Sequence, residues 1–344
     1  MIDTQLFIIL FIVFICSFGL IKLLMIYSVK LGLVDEPNIR SMHTIQKSRA
    51  GGIAIFFSFL LGLFCFGLPV NTYMIIAFFI VFLLGIYDDI FESSSKVKFL
   101  WLIISAIFLY IGDIYIGSIG IFGGYEILLP PALALIFSIF AIVGFVNAMN
   151  LIDGLDGLSS GIAIVILCAY GYLGYKYNDL FLFYISIVLI VSLGAFLLYN
   201  WYPSKLFMGD SGSLTLGFII AVISIHSVQM GYITPVTVLL LAAVPILDTL
   251  VVMIRRIRRG KSPFNPDKSH IHHIILKQHY NNVPKTTKIL ILLQVVFVYI
   301  GLGFKVRDDL IILGVFIILF LLFYNILTPK KIDHKIRNKK TKSN

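Results

Sequence analysis

The chain has 344 residues, of which 59% are hydrophobic and only 13% charged, with a mean hydropathy of +1.00. That balance excludes an ordinary soluble domain and a disordered chain, and makes lipid the expected solvent. Lys and Arg number 27 against 17 Asp and Glu, a formal charge of +10 whose meaning depends on where those side chains fall.

A helix needs about 20 apolar residues to cross roughly 30 Å of hydrocarbon. Eleven runs of that kind, or slightly shorter, are predicted as transmembrane helices: 4–27, 52–68, 72–87, 98–112, 131–147, 160–175, 180–199, 212–229, 234–254, 287–303 and 310–328. They are continuously apolar and do not alternate with period two, so an all-α integral membrane fold is expected, not a barrel. The runs 98–112, 131–147 and 160–175 are short for the task. No basic residue precedes Lys22, so no cleavable leader is expected. Cys16, Cys65 and Cys168 lie inside apolar runs and read as small core residues.

With the N-terminus outside, only Lys176, Lys305 and Arg307 fall on outer loops. Lys22 lies within the first run, and the other 23 of the 27 basic residues fall on the inner side. The C-terminus is then cytoplasmic. One polytopic unit, residues 1–328, is followed by a basic tail, 329–344, which reads as an anchor to anionic lipid. The net charge therefore gives no reason to invoke nucleic acid. No internal repeat is visible, and an odd number of spans argues against a paired-repeat transporter.

Between the runs, the outer loop 113–130 carries Gly123-Gly124 between alternating apolar stretches and predicts a small hairpin. The inner loops 29–51, 88–97, 148–159, 200–211 and 255–286 hold nearly all the reactive side chains. Asp88-Asp89 closes the third run, Asp153 and Asp156 lie in NAMNLIDGLDGLSSG, and Asp210 lies in FMGDSG. A carboxylate at the membrane edge is costly unless it is paired, solvated or bound to a cation. Five on one face, among Gly154, Gly157, Gly209 and Gly212, point to a divalent cation and an anionic substrate. Oxygen donors favour Mg²⁺, with Mn²⁺ the alternative, over Zn²⁺. Asp35 reads as a cap, and Asp248 is expected to pair with Arg255, Arg256 or Arg258.

The last inner loop reads RRIRRGKSPFNPDKSHIHH. Its four arginines serve equally well as a stop-transfer anchor. His270, His272 and His273 are three histidines in four residues without a cysteine partner, a poor zinc set but a good set of donors to a diphosphate. Carboxylates, a cation and a basic loop on one face describe a phosphoryl-transfer site.

These motifs resemble the polyprenyl-phosphate N-acetylhexosamine-1-phosphate transferases, membrane enzymes that begin O-antigen, enterobacterial common antigen and wall teichoic acid synthesis. The resemblance covers about residues 30–280. It includes GLVDEPNIRSMH at 32–43, Gly51-Gly52, Asp88-Asp89 with Lys96 and Lys98 beyond, NAMNLIDGLDGL at 147–158, FMGDSG at 207–212 and SPFNPDKSHIHH at 262–273. It implies transfer of N-acetylglucosamine-1-phosphate from UDP-N-acetylglucosamine to undecaprenyl phosphate with Mg²⁺, releasing UMP at the cytoplasmic face of the bacterial inner membrane. It further implies Asp210 and Asn150 as metal ligands, Asp88 and Asp89 beside the lipid phosphate, and Lys98 and Lys96 on phosphate. Asp153 and Asp156 would orient the nucleotide, with Asn147 a further substrate contact and Phe207 stacking on uracil. His270, His272 and His273, with Arg255 and Arg256, would hold the diphosphate and sugar. A homodimer is suggested only by analogy. A phosphomonoester with its second pKa near 6 is largely dianionic at pH 7, so Asp88 has little to gain as its base, and direct in-line attack is preferred to a covalent aspartyl-phosphate. Other UDP-N-acetylhexosamines (QuiNAc, FucNAc) and phospho-MurNAc-pentapeptide remain alternative donors. Outside the class stand an ion-coupled transporter, whose charges belong near the midplane, and a non-catalytic binder of lipid-linked glycans.

Overall fold

The computed structural model describes residues 4–36, 46–260, 262, 270–304 and 309–327. All eleven apolar runs are helical: α1 (Thr4–Tyr27), α2 (Gly51–Cys65), α3 (Thr72–Phe91), α4 (Ser95–Ile111), α5 (Pro131–Leu151), α6 (Leu158–Lys176), α7 (Leu180–Asn200), α8 (Gly209–Gln229), the pair α9 (Pro235–Leu241) and α10 (Ala243–Arg258), then α12 (Val283–Gly303) and α13 (Asp309–Leu327), with a short α11 (Ile271–Gln278) preceding α12. Among the described residues, eight helices are individually long and apolar enough to cross a bilayer, nine if the α9–α10 pair is one span. The protein is a helical, multi-pass membrane protein.

α8 is the centre of the bundle, almost wholly buried against α3, α5, α2 and α6. α1 and α13 are the least covered, with most of their side chains left outside the bundle, as suits lipid-facing helices.

Three boundaries differ from the sequence expectation, each for a local reason. α3 continues a turn beyond residue 87, so Asp88 and Asp89 lie on a helix and not in a loop; both find partners that let the chain stay helical. α8 starts at Gly209, putting Asp210 in its first turn, where the exposed N–H groups favour a carboxylate. The expected continuous span 234–254 is broken, with α10 bent 92° from α9. Pro245 lacks the N–H that would bond the Leu241 carbonyl. The buried Gln294 of α12 fills that gap: its Nε2 donates to Leu241 O at 2.7 Å, and its Oε1 accepts Val244 N–H at 3.1 Å.

The predicted outer hairpin is present as β3 (Ser118–Phe122) and β4 (Tyr125–Leu128), antiparallel, turning through Gly123 and Gly124 at φ 60° and 86°. A two-residue turn of this hand needs positive φ at both positions, which glycine supplies without strain. Asp309 ties the hairpin to the bundle by accepting from Ile121 N–H and the Thr234 hydroxyl. At the other end a two-stranded ribbon, β1 (Val34–Asp35) with β2 (Lys47–Ser48), lies beside the 200–208 loop through the Ser48–Leu206 bridge.

Candidate active site

The end of the bundle away from the hairpin is organised around the start of α8. Asp89, buried on α3, accepts Asp210 N–H at 2.7 Å with one oxygen and Ser211 N–H at 2.9 Å with the other. Both of its acceptors are thus engaged with two of the N–H groups that a helix start leaves unpaired. The helices close to backbone contact here: a Cβ on Gly85 would overlap Ser211, and one on Gly52 would overlap Gly212.

This clamp turns the Asp210 side chain toward Asp88 and Lys98. Lys98 Nζ lies 2.6 Å from Asp88 Oδ2 and 2.5 Å from Asp210 Oδ2, bridging them. Asp88 Oδ1 also accepts from Ser93 N–H and Oγ at 2.8 and 2.5 Å. From α5, Asn150 Nδ2 donates to Asp210 Oδ1 at 3.1 Å and to Ser213 Oγ at 2.8 Å. Four side chains far apart in sequence therefore converge within contact distance.

Asp153 borders the same cavity, and no hydrogen bond or ion pair to its carboxylate is found among the described residues. Burial, then the neighbouring Asp210, Asp89 and Asp156, push its carboxyl well above the usual carboxylate range. Asp156 is differently placed: its two oxygens accept from Ser204 N–H and Oγ at 2.9 and 2.8 Å, fixing the 200–206 loop. The buried Asn200 braces both strands of this wall, accepting Gly157 N–H at 3.0 Å and donating to Leu206 O at 3.0 Å. Lys47 reaches Ser204 Oγ at 2.8 Å and places its ammonium 4.7 Å from the centre of the Phe207 ring. Together these walls enclose a cavity of about 990 Å³ that His273 also borders.

A second cavity of about 390 Å³ adjoins the first through Lys98, Asn150, Asp153, Gly154 and His273. Its other walls are more apolar, with Phe99, Leu102, Leu214 and Val252, and it receives Asn147, Arg256, His270 and His272. His270 Nδ1 is 2.9 Å from Asp248 Oδ2, and Asp248 Oδ1 accepts Ile271 N–H at 2.7 Å. Asp248 thus takes His270 and the start of α11, in place of the arginine partner expected for it. His272 is buried against Gly154; that burial, followed by His273 and His270, holds its ring well below the ordinary imidazole range, so it is neutral at pH 7.

Of the remaining expected contacts, Lys96 is exposed and borders neither cavity. Two residues apart on a helix point about 200° from each other, so Lys96 and Lys98 cannot serve one site. Arg255 is buried but lines neither cavity, and Arg258 donates to Tyr324 Oη at 2.8 Å while stacking on its ring. Pro263–Ser269, with Asp267 and Lys268, and the tail from 328 onward lie outside the described residues.

Lys47, Arg49, Asn200, Ser204 and Asp248 are the site components that sequence reasoning missed. Arg49 pairs with Asp35, which lies in β1 and pairs with an arginine instead of capping a helix as expected. Their signal was present for Lys47 and Arg49, which lie just before the Gly51-Gly52 pair that marks close backbone approach. It was absent for Asn200 and Ser204, whose partners Gly157, Asp156 and Lys47 lie 43, 48 and 157 residues away and are joined to them only by the fold.

The apolar helices, with acidic, basic and histidine side chains gathered at one end, make a membrane protein with a charged site able to handle anionic substrates. The sequence pattern of glycosyl transferase family 4 matches residues 71–228. A Haemophilus influenzae protein named undecaprenyl-phosphate alpha-N-acetylglucosaminyl 1-phosphate transferase is 33% identical over 331 residues, covering 91% of this chain and 92% of the relative. Proteins of the same name from Pasteurella multocida and Yersinia pestis are 37% and 30% identical, covering 72% and 86% of this chain and 72% and 84% of their own. The chain belongs to glycosyl transferase family 4.

Proposed function

We propose that this enzyme transfers N-acetylglucosamine-1-phosphate from UDP-N-acetylglucosamine to undecaprenyl phosphate, giving undecaprenyl-diphosphate-N-acetylglucosamine and UMP, and so begins an envelope polysaccharide. The observation that carries the reading is the convergence of Asp88, Lys98, Asn150 and Asp210 in one cavity of a family 4 chain. An oxygen of the lipid phosphate forms a bond to the β-phosphorus, the bond from that phosphorus to the bridging oxygen breaks, and the electron pair leaves on UMP.

The oxygen donors are of the kind a hard divalent cation takes, although no group of three or more acidic, histidine or cysteine side chains among the described residues is arranged to hold one, and Asn150 would have to turn its amide oxygen toward the ion. Asp88 and Asp210 already share the Lys98 ammonium, and Asp153 adds an unpartnered carboxyl to the same cavity. Asp210 and Asn150 would hold Mg²⁺, or Mn²⁺, which would neutralise charge on the diphosphate. Lys98 neutralises phosphate oxygens from α4, with Asp88 fixing its ammonium beside the lipid phosphate. Asp89 acts by positioning α8. Asp156, through Ser204 and Lys47, shapes the wall on which Phe207 receives the base. His273 and His270 donate to the diphosphate and sugar, and neutral His272 supplies a hydrogen bond without charge. The smaller, half-apolar cavity suits the lipid phosphate and the first part of its chain, with Asn147 and Arg256 at its walls.

The distribution of Lys and Arg supports a cytoplasmic active site with the N-terminus outside. Eleven crossings require α2 and α4 to span as well; at 1.5 Å per residue their 15 and 17 residues give about 22 and 26 Å, short of the hydrocarbon thickness of about 30 Å. Purified protein incubated with UDP-N-acetylglucosamine, undecaprenyl phosphate and Mg²⁺ should release UMP and form the lipid-linked sugar. UMP release with UDP-QuiNAc, UDP-FucNAc or UDP-MurNAc-pentapeptide but not UDP-N-acetylglucosamine would reassign the donor, and release with none would overturn the reading.

A further inference from the structure

Asp248 is 1% exposed and His270 is 5% exposed, so this carboxylate and imidazole meet away from bulk water. A buried carboxylate is costly unless its oxygens are satisfied. Asp248 satisfies both, at Ile271 N–H (2.7 Å) and at His270 Nδ1 (2.9 Å). The backbone bond alone would anchor the start of α11. The second bond does something an anchor does not need: it fixes the tautomer and rotation of a ring that borders the smaller cavity beside Lys98 and Arg256.

We propose that Asp248 is a positioning residue for His270, an inference that rests on the phosphotransferase reading of the site. The Asp248 carboxylate accepts the Nδ1 proton, so the ring cannot rotate and its Nε2 edge is the one presented to the cavity. When the ring is doubly protonated, the carboxylate balances its charge while Nε2–H donates to a phosphate oxygen. The location of Asp248 makes this sensitive to the fold: it lies three residues after Pro245, within a turn of the 92° break that sets the direction of α10 toward His270. Asparagine cannot replace it. An amide offers one acceptor group and one donor group, so it leaves either Ile271 N–H facing a donor or Nδ1 receiving a proton, which moves the ring proton off Nε2's opposite edge and reverses the tautomer.

The test is a double-mutant cycle on the full chain, reading UMP release, with Asp248→Asn, His270→Ala and the double variant. By analogy with partners that orient histidine ligands, Asp248→Asn should lower kcat/KM by about 10- to 100-fold. In the His270→Ala background the same change should cost less than about threefold, because the group it orients is gone. Losses that multiply in the double variant would overturn the proposal, since an anchor acting through Ile271 N–H does not depend on the ring. A measurement independent of turnover accompanies it: nitrogen NMR of ¹⁵N-histidine-labelled protein, with the His270 signal identified by its loss in His270→Ala. A His270 ring that carries a proton on Nδ1, whether neutral or doubly protonated, supports the pair, and one protonated only at Nε2 overturns it. Wild-type protein that releases no UMP would instead refute the transferase reading, and the NMR result would still decide the Asp248–His270 bond.

Discussion

Asp89 on α3 accepts the backbone N–H of Asp210 at 2.7 Å, so one carboxylate of the site sets the position of another through the main chain. Its second oxygen holds Ser211 N–H, and asparagine would turn an amide donor against one of these two N–H groups. Leaving such a buried donor unsatisfied costs about 1–3 kcal/mol. Asp89→Asn should therefore lower the melting temperature and reduce UMP release by about 100-fold, since displacement of α8 by a fraction of an ångström moves Asp210 off its partners. Unchanged melting and turnover would refute the clamp.

Asp210→Asn should behave in the opposite way. It keeps the clamp, which uses only the Asp210 main chain, but removes the charge that Lys98 shares and that the proposed divalent cation would take. Saturating Mg²⁺ at about 100 times its dissociation constant should stabilise wild type by about 2.7 kcal/mol. Thermal melts with Mg²⁺ and with EDTA should differ for wild type and coincide for Asp210→Asn. A Mg²⁺ response that survives the substitution would place the cation elsewhere.

Gly85→Ala tests the same joint sterically. Its Cβ would meet the Ser211 Cα and N and the Asp210 carbonyl, all main chain that cannot swing away. Overpacking of this kind costs about 1–3 kcal/mol, and activity should fall at least about tenfold. Gly144→Ala is the control, because nothing lies within 4 Å of its added methyl, and its melting temperature should hold or rise. Equal effects of the two changes would show that α3–α8 contact does not govern the site.

The helices, the hairpin and the presence of Asp88 and Asp210 at helix ends were legible in the sequence because each depends on local pattern: apolar runs, a Gly-Gly turn, acids at span ends, whereas Asn150 was named only through the family resemblance. What was not legible depends on partners brought together by folding. Nothing near Asp89 in sequence reveals that both its oxygens serve α8, and nothing near Asp248 reveals His270, 22 residues on. The pairing of Lys96 with Lys98 was the one expectation that helical geometry alone could have corrected. The break in 234–254 had a signal in Pro245, but its stabilising partner, Gln294, lies 50 residues from Val244.

At the opposite end of the bundle, Asp179 caps α7. Burial pushes its carboxyl up, but Leu182 N–H at 2.9 Å, His226 Nε2 at 2.6 Å and Tyr232 Oη at 3.2 Å outweigh that and hold it below the ordinary value. A folded-state value below the unfolded one, about 3.9, contributes stability that is present above that pH and lost as pH falls toward the folded value. Asp179→Asn, which can still cap the helix, should be less stable than wild type at pH 6 by about 1.5–3 kcal/mol, the size of hydrogen bonds to a charged group. The gap should narrow below about pH 4. Melts of both proteins from pH 6 to pH 3 check this, and a gap independent of pH would refute it.

Gln294 supports a different prediction, because its two hydrogen bonds replace what Pro245 removes. Gln294→Leu would leave Leu241 O and Val244 N–H unpaired among apolar side chains, at about 1–3 kcal/mol each. The consequence for function follows from the direction of α10, which carries Asp248, Val252 and Arg256 to the smaller cavity or its border. If the splint holds the bend, Gln294→Leu should lower both melting temperature and UMP release. Adding Pro245→Ala then returns an N–H that can bond Leu241 O and lets α9 and α10 align. The double variant should regain stability yet stay poorly active, since a straight helix carries Asp248 away from His270. Stability and turnover recovering together would mean that the bend itself is dispensable, and wild-type melting in Gln294→Leu alone would mean that Gln294 does not support it.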